Sequence, residues 1–498
     1  MNIFKKLRKG VRAGMAAIKE KTYMDNDEIV GMVREWNASK KRQDMVTGDN
    51  YYKGKSDIYK KAQPTDANGN AITYRSNNKI GHAKYTNLVE EKVNYLLTRD
   101  YTIQCDDEAY LEKIQDILGK HFKYRLKNLG TEASNKGIAW LQPYIDEAGK
   151  LKFLQVPSEQ LIPIWTDNEH MELDSMIRVY ESTEWKGLTK EYKTNVELWT
   201  KDGVTYYTLD TDKGLLTYNY NRSNDVDNGG PVKHYKKDNV WTSWGKVPFV
   251  AFKNNATEMS DLNRIKSLID AYDNSRSEAA NFVDDVKNII YVLKGYGGQD
   301  LDKFMETLNK YRAIKIDDPE DGGGVDTISA SMDITALKEH YEQLKRDIIE
   351  DGQGINHDLD KFGSAPSGVA LKFMYAGLDL KCNGIEAEFK LAFEQLLYFI
   401  NIYLGESGEA ITDKDVDIIF NRDMEINETE VIENCNNSKG VVSDETILAN
   451  HPWVKDIEDE MKKLKEQDKE NEPFNVPNTR IPLEEIKEEG GVNGEKEE

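Results

Sequence analysis

Apolar side chains recur every three or four positions along Ser260–Lys287, a spacing that dictates a helix. Leu262, Ile265, Leu268, Ile269, Tyr272, Ala279, Phe282, Val283 and Val286 form one stripe, and Asp270, Asp273, Ser277, Asn281 and Asp284 fall on the opposite face. At about 1.5 Å per residue the rod reaches roughly 40 Å. A second helix, Asp333–Gly352, carries a narrower seam of Ile334, Leu337, Tyr341, Leu344 and Ile348, and one seam requires one partner helix. Between the two the pattern predicts a small α/β insert. It has a strand at Ile289–Leu293, a turn at Gly295, Gly297 and Gly298, a helix at Leu301–Tyr311, a strand at Ala313–Ile316 and an acidic return loop, Asp317–Gly324. Gly352–Gly368 is a glycine-rich loop, given freedom by Gly352, Gly354 and Gly363, and Val369–Leu404 is a very long helix whose most apolar stretch, Leu391–Leu404, reads as buried. On pattern alone an ordinary helical hairpin in a core remains open.

Upstream, helices are predicted at Asp25–Met45, with Ile29, Val33 and Trp36 on one face, and at Ala83–Thr98. Two short helices follow in Asp107–Gly130, and another at Thr131–Trp140 leads into a strand at Leu141–Ile145. Asp146–Gly149 turns the chain into a strand at Lys152–Val156. From Met176 to Phe252 the period changes to two, predicting a meander of antiparallel hairpins that includes a turn at Lys201–Gly203. Downstream come a strand at Val416–Phe420 and helices near Glu428–Lys439, Ser443–Leu448 and Ile457–Glu470. The whole reads as an α+β chain.

Composition narrows the function. A net charge of −22 argues against a protein that grips nucleic acid through its phosphates, though not against one that a duplex slides past. Met1–Lys21 is the exception, with seven basic residues and one acid; a solvated arm is favoured there over an anion-binding one. It lacks the apolar core of a signal peptide, and no run of about 18 apolar residues suggests a membrane span. Cys105, Cys382 and Cys435 have no metal-ligand spacing. Gly54-Lys55-Ser56 resembles the end of a phosphate loop, but the leading glycine and the preceding strand are missing. Asp317, Asp318, Glu320 and Asp321 read as a solvated loop rather than a metal cluster, and Asp284 and Asp285 point to different faces. No catalytic constellation, cofactor or metal is expected.

Several blocks in order resemble one family. SDLNRIKSLIDAYDNSRSEAANFVDDVKNIIYVLKGYGG (Ser260–Gly298), LDKFMETLNKYRAIKIDD (Leu301–Asp318) and FGSAPSGVALKFMYAGLDLK (Phe362–Lys381), with YYKGKSDIYKK (Tyr51–Lys61) and NNKIGHAKYTNLVEEKVNYLL (Asn77–Leu97), are similar to portal (head-to-tail connector) proteins of tailed bacteriophages, in the branch typified by phage SPP1. The resemblance spans roughly Tyr51 to Leu404. It implies a portal fold with a wing at 1–258, stem helices at 259–287 and 333–353, a clip at 288–332, a tunnel loop at 354–366, a long connecting helix at 367–410 and a crown at 411–470. The tail at 471–498 lies outside the resemblance, and its acidic, glycine-interrupted composition reads as disordered.

The same resemblance implies a non-enzymatic homo-oligomeric ring, usually of twelve, at one capsid vertex of the virion, assembled in the host cytoplasm. Double-stranded DNA passes through it, and its partners are terminase, capsid or scaffolding protein and the head-completion connector, with no membrane. The tunnel loop would present His357, Asp358, Lys361, Phe362 and Ser364 to DNA, and Asp270, Asp273, Ser277 and Asp284 would line the bore. Two other classes stand against this: a hydrolase or nucleotidyl enzyme, which lacks a recognisable site, and a structural scaffold or capsid-associated assembly protein without a channel, which the α/β insert disfavours.

Overall fold

A computed structural model describes residues 24–72, 75–219, 231–237, 240–285, 290–294, 300, 324–328, 333–356, 368–406, 416–422, 428–454 and 457–471. The chain divides into two compact units. One comprises residues 1–361 and 372–424, the other 362–371 and 425–498.

The first unit opens with α1 (Asn26–Ala38), whose start is fixed by a capping box between Asp25 and Glu28. The single helix expected over Asp25–Met45 is two. Ser39 leaves the helical region at φ −66°, ψ 143°, and its hydroxyl caps α2 (Lys40–Tyr52) through the Arg42 N–H at 3.2 Å. A short polar side chain that competes for backbone partners is the reason for the break. α3 (Lys84–Leu97), β1 (Thr102–Cys105) and α4 (Glu108–Leu118) follow. α5 (Phe122–Lys136) runs through the expected break at Thr131, because Leu126, Leu129, Gly130 and Ala133 keep one buried face. It stops at Gly137, at φ 84°, where a Cβ would stand 2.0 Å from the Glu258 carbonyl oxygen.

β2 (Ile138–Ile145) starts three residues earlier than expected and lies between β11 (Val250–Lys253) and β3 (Leu151–Val156). Six consecutive β2 residues are buried. A strand covered on both faces shows no alternation, so its first residues pass for helix. β4 (Leu161–Trp165), β5 (Leu173–Lys186), β6 (Thr189–Thr200), β7 (Val204–Asp210) and β8 (Leu215–Tyr218) form the antiparallel meander in sequence order. Ile29, Val30 and Val33 of α1 pack on its inner face against Ile177, Val196 and Leu198. β9 (Tyr235–Lys237) pairs with β10 (Val240–Thr242).

α6 (Leu262–Asp285) and α7 (Ile334–Asp351) are the two predicted rods. They run antiparallel: Arg264 reaches Gln353 at 3.2 Å, while Tyr341 donates to the Ser275 carbonyl, also at 3.2 Å. Tyr341, Leu344 and Ile348 are buried as the seam requires. β12 (Ile290–Lys294) pairs with β13 (Gly324–Ile328). That strand lies just past the expected return loop, in residues where no strand is expected; the β-branched Val325, Thr327 and Ile328 that form it follow a run of three glycines. The expected helix Leu301–Tyr311 and strand Ala313–Ile316 lie outside the described residues.

α8 (Gly368–Glu406) is 39 residues long. Leu378, Cys382, Ile385, Phe389, Phe393, Leu396 and Ile400 make it the axis of the main core, with Phe389 on Phe252 at 5.0 Å. β14 (Val416–Ile419), in the segment expected as the crown, pairs with β1, Ile103 opposite Ile418. The second unit contains α9 (Glu428–Asn437), α10 (Asp444–Asn450, capped by Ser443) and α11 (Ile457–Asn471).

Candidate functional site

The polar face of α6 is where sequence pattern and structure diverge most. Leu262, Ile265, Ile269 and Tyr272 bury the apolar stripe, but Asp273, Ser277 and Asn281 are buried as well. An extended strap, residues 76–82, covers them. Its main-chain N–H groups at Ser76, Asn78, Ile80 and His82 donate to Asp285, Asn281, Ser277 and Asp273 at 3.1, 2.6, 3.0 and 3.1 Å. Every second strap residue thus meets every fourth helix residue. Two extended residues span about 6.6 Å and four helical residues about 6.0 Å, so the two periods stay in register over the whole contact. Each such bond contributes roughly 1 kcal/mol, and more where the acceptor is a carboxylate.

Polar side chains fasten the strap toward both ends. Ser56 donates to the second oxygen of Asp273 at 2.7 Å, and Asn78 also reaches Asp284 at 2.9 Å. Lys266 bridges Asp57 and Asp270 at 2.6 and 2.7 Å. Burial opposes ionisation of Asp57, but Lys266 and Lys60 hold its carboxyl down at about 2. The Tyr51 hydroxyl donates to Asp270, and burial together with that carboxylate pushes the phenol well above its ordinary value.

The loop that follows α7 is rooted on α3. Gly352 and Gly354 are glycines for closeness rather than freedom. A Cβ on Gly352 would lie 2.7 Å from Leu88 Cδ1, and one on Gly354 would lie 2.3 Å from Leu88 Cδ2. Glu91 accepts the Ile355 N–H at 3.0 Å. Beside it, Lys92 is buried and donates to Asn254 at 2.7 Å and to Asp261 at 2.6 Å. Lys381 of α8 approaches the same carboxylate at 3.2 Å and donates to the Gly352 carbonyl at 2.8 Å. Burial disfavours the Asp261 charge, yet the ammonium groups of Lys381 and Lys92 and the bond from Asn254 hold its carboxyl well below the usual carboxylate range. Burial lowers Lys92 from the ordinary lysine value against the attraction of Asp261.

The predicted site residues separate accordingly. Asp273 and Ser277 do not stand on an open wall. Both are fully buried, because the chain's own strap takes their hydrogen-bonding capacity. Asp270 is partly exposed and Asp284 exposed. His357, Asp358, Lys361, Phe362 and Ser364 lie outside the described residues, as do Asp317, Asp318, Glu320 and Asp321. Ser56, the end of the false phosphate loop, is a strap anchor. Strap residues 76–82 escape a sequence reading because the contact uses their main chain. The legible signal was on α6: short Asp, Ser and Asn at four-residue spacing, where a solvated face would carry Lys and Glu. Among the described residues no group of three or more His, Cys, Asp or Glu is placed to hold a metal, and no helix is long and apolar enough to cross a membrane.

Residues 36–473 match the family described as phage portal protein, SPP1 Gp6-like. The portal protein of Clostridium phage phiCD119 is 35% identical over 443 residues, covering 86% of this chain and 93% of that one. The portal protein of Bacillus phage SPP1 is 29% identical over 456 residues, covering 90% and 88%.

Proposed function

This chain belongs to the SPP1 Gp6-like family of phage portal proteins, and from that premise we propose that copies of it close into a ring of about twelve at one capsid vertex, the channel through which DNA enters and leaves the head. The match over residues 36–473 carries this reading, because it takes in both stem rods, the insert between them and the loop after them. The family is a structural one, and the motor is a separate terminase.

In this assignment residues 1–258 are the wing, α6 and α7 the stem, and 288–332 the clip, which meets terminase during packaging and the head-completion connector later. Residues 354–366 are the tunnel loop, α8 the long connecting helix and 411–470 the crown. DNA carries one charge per about 1.7 Å of axis, so a lysine-lined bore would hold it through counterion release, whereas an acidic wall keeps a layer of water and ions between protein and phosphate. Asp270 and Asp284 contribute to such a wall, and Asp273 and Ser277 brace it from within. Lys361 and Phe362 come nearest the duplex.

Electron microscopy of the purified full-length protein tests the assignment. Rings with a central hole wide enough for a duplex are expected. Solitary globules, or closed particles with no passage, would overturn it and favour a capsid-associated scaffold.

A further inference from the structure

The foot of the stem gathers the buried ammonium group of Lys92 and the half-buried one of Lys381 around one carboxylate, Asp261. Asn254, the fourth member, is neutral. Two helix ends supply what the side chains lack. Asp261 immediately precedes the first residue of α6, at the positive end of that helix, and Lys381 sits on the Gly352 carbonyl, at the negative end of α7. One ammonium therefore ties together three things: the beginning of α6, the end of α7, and α8, the helix that resumes after the loop. Lys381 bridges the chain before the loop to the chain after it.

We propose that Lys381 is a positioning residue for the loop that follows Gly354, fixing its root to the foot of both stem helices. The proposal rests on the portal reading only in so far as that loop meets DNA. Glu91 secures the other side of the root through the Ile355 N–H, and it neighbours Lys92 on α3, so the two fastenings share one helix. The root of the loop, through residue 355, is then held still. The ammonium is required, not merely the stem of the side chain. A methionine would keep most of the packing but leave the Gly352 carbonyl without its donor and Asp261 with a single cation.

The test uses full-length Lys381→Met and Lys381→Arg, with hydrogen exchange read on the amides of Gly354 and Ile355 and DNase-protected DNA read in phage assembly. Lys381→Met is expected to speed exchange at those amides about 10-fold and to lower packaged DNA by a similar factor, with ring formation unchanged. Lys381→Arg is expected to retain protection and packaging within about threefold. Unchanged exchange in Lys381→Met overturns the clamp. Faster exchange with full packaging overturns the positioning role. Exchange needs no DNA, so it judges the clamp even if wild-type protein fails to form rings, which would count against the portal reading instead. If the methionine variant does not assemble, Lys381→Gln provides the same comparison on the same amides.

Discussion

One oxygen of Asp273 lies 3.1 Å from the main-chain nitrogen of His82 and 2.9 Å from its Nδ1, so a single buried carboxylate holds both the backbone and the ring of the strap's last residue. Removing that carboxylate strands a buried hydroxyl at Ser56 and an amide at His82. Asp273→Ala is expected to cost about 2–4 kcal/mol in denaturant unfolding, with faster hydrogen exchange at residues 76–82. A loss under about 0.5 kcal/mol would mean that the strap is held elsewhere.

Gly137 ends α5 at a positive φ with the Glu258 carbonyl in the space a side chain would need. Gly137→Ala should therefore cost more than about 2 kcal/mol, because backbone cannot yield as a side chain does. Gly54 has φ 71° with nothing within 4 Å, and Gly54→Ala, which meets the strain without the clash, should cost about 1 kcal/mol. Equal losses in thermal or denaturant melts would refute the steric account.

His234 is stacked on Trp199 at 5.9 Å and accepts the main-chain N–H of Trp244 at 3.1 Å. Burial, the largest influence, pushes its pKa down to about 4 from an ordinary 6.5. The unfolded chain thus takes up a proton below about 6.5 that the folded chain refuses until about 4. Stability is full above pH 6.5 and falls as the pH drops through that window, by up to about 3 kcal/mol. The fall in wild type should exceed that in His234→Gln over the same range, carboxylates contributing equally to both. Parallel pH profiles would exclude the histidine as a source.

Lys361→Glu tests the tunnel loop as the element nearest DNA. On the proposed assignment, reversing this charge should lower DNA packaging several-fold while rings still form, as judged by protected DNA and by microscopy of the same preparation. Full packaging by the variant would remove the loop's contact role.

Much of the architecture was legible because it depends on periodicity. The seam of α7 and the paired strands β6 and β7, joined at the turn Lys201–Gly203, fall where their spacing puts them. What escaped was whatever depends on distant main chain. The polar face of α6 looks solvated until the strap is laid on it, and Gly352 and Gly354 look like hinges until Leu88 stands against them. β2 hid its first residues because a doubly covered strand does not alternate. Asp270, Asp273, Ser277 and Asp284 were found as a set by helical arithmetic, but arithmetic along one helix cannot say which of its faces another part of the chain will claim.

The pairing of β1 with β14 has a consequence for synthesis. Ile103 waits for Ile418, so the lobe built on α3 to α5 keeps a raw edge until about three hundred further residues have left the ribosome. Such a long-range closure makes maturation slow, and a subunit offers its neighbours a finished surface only after that distant strand has been made.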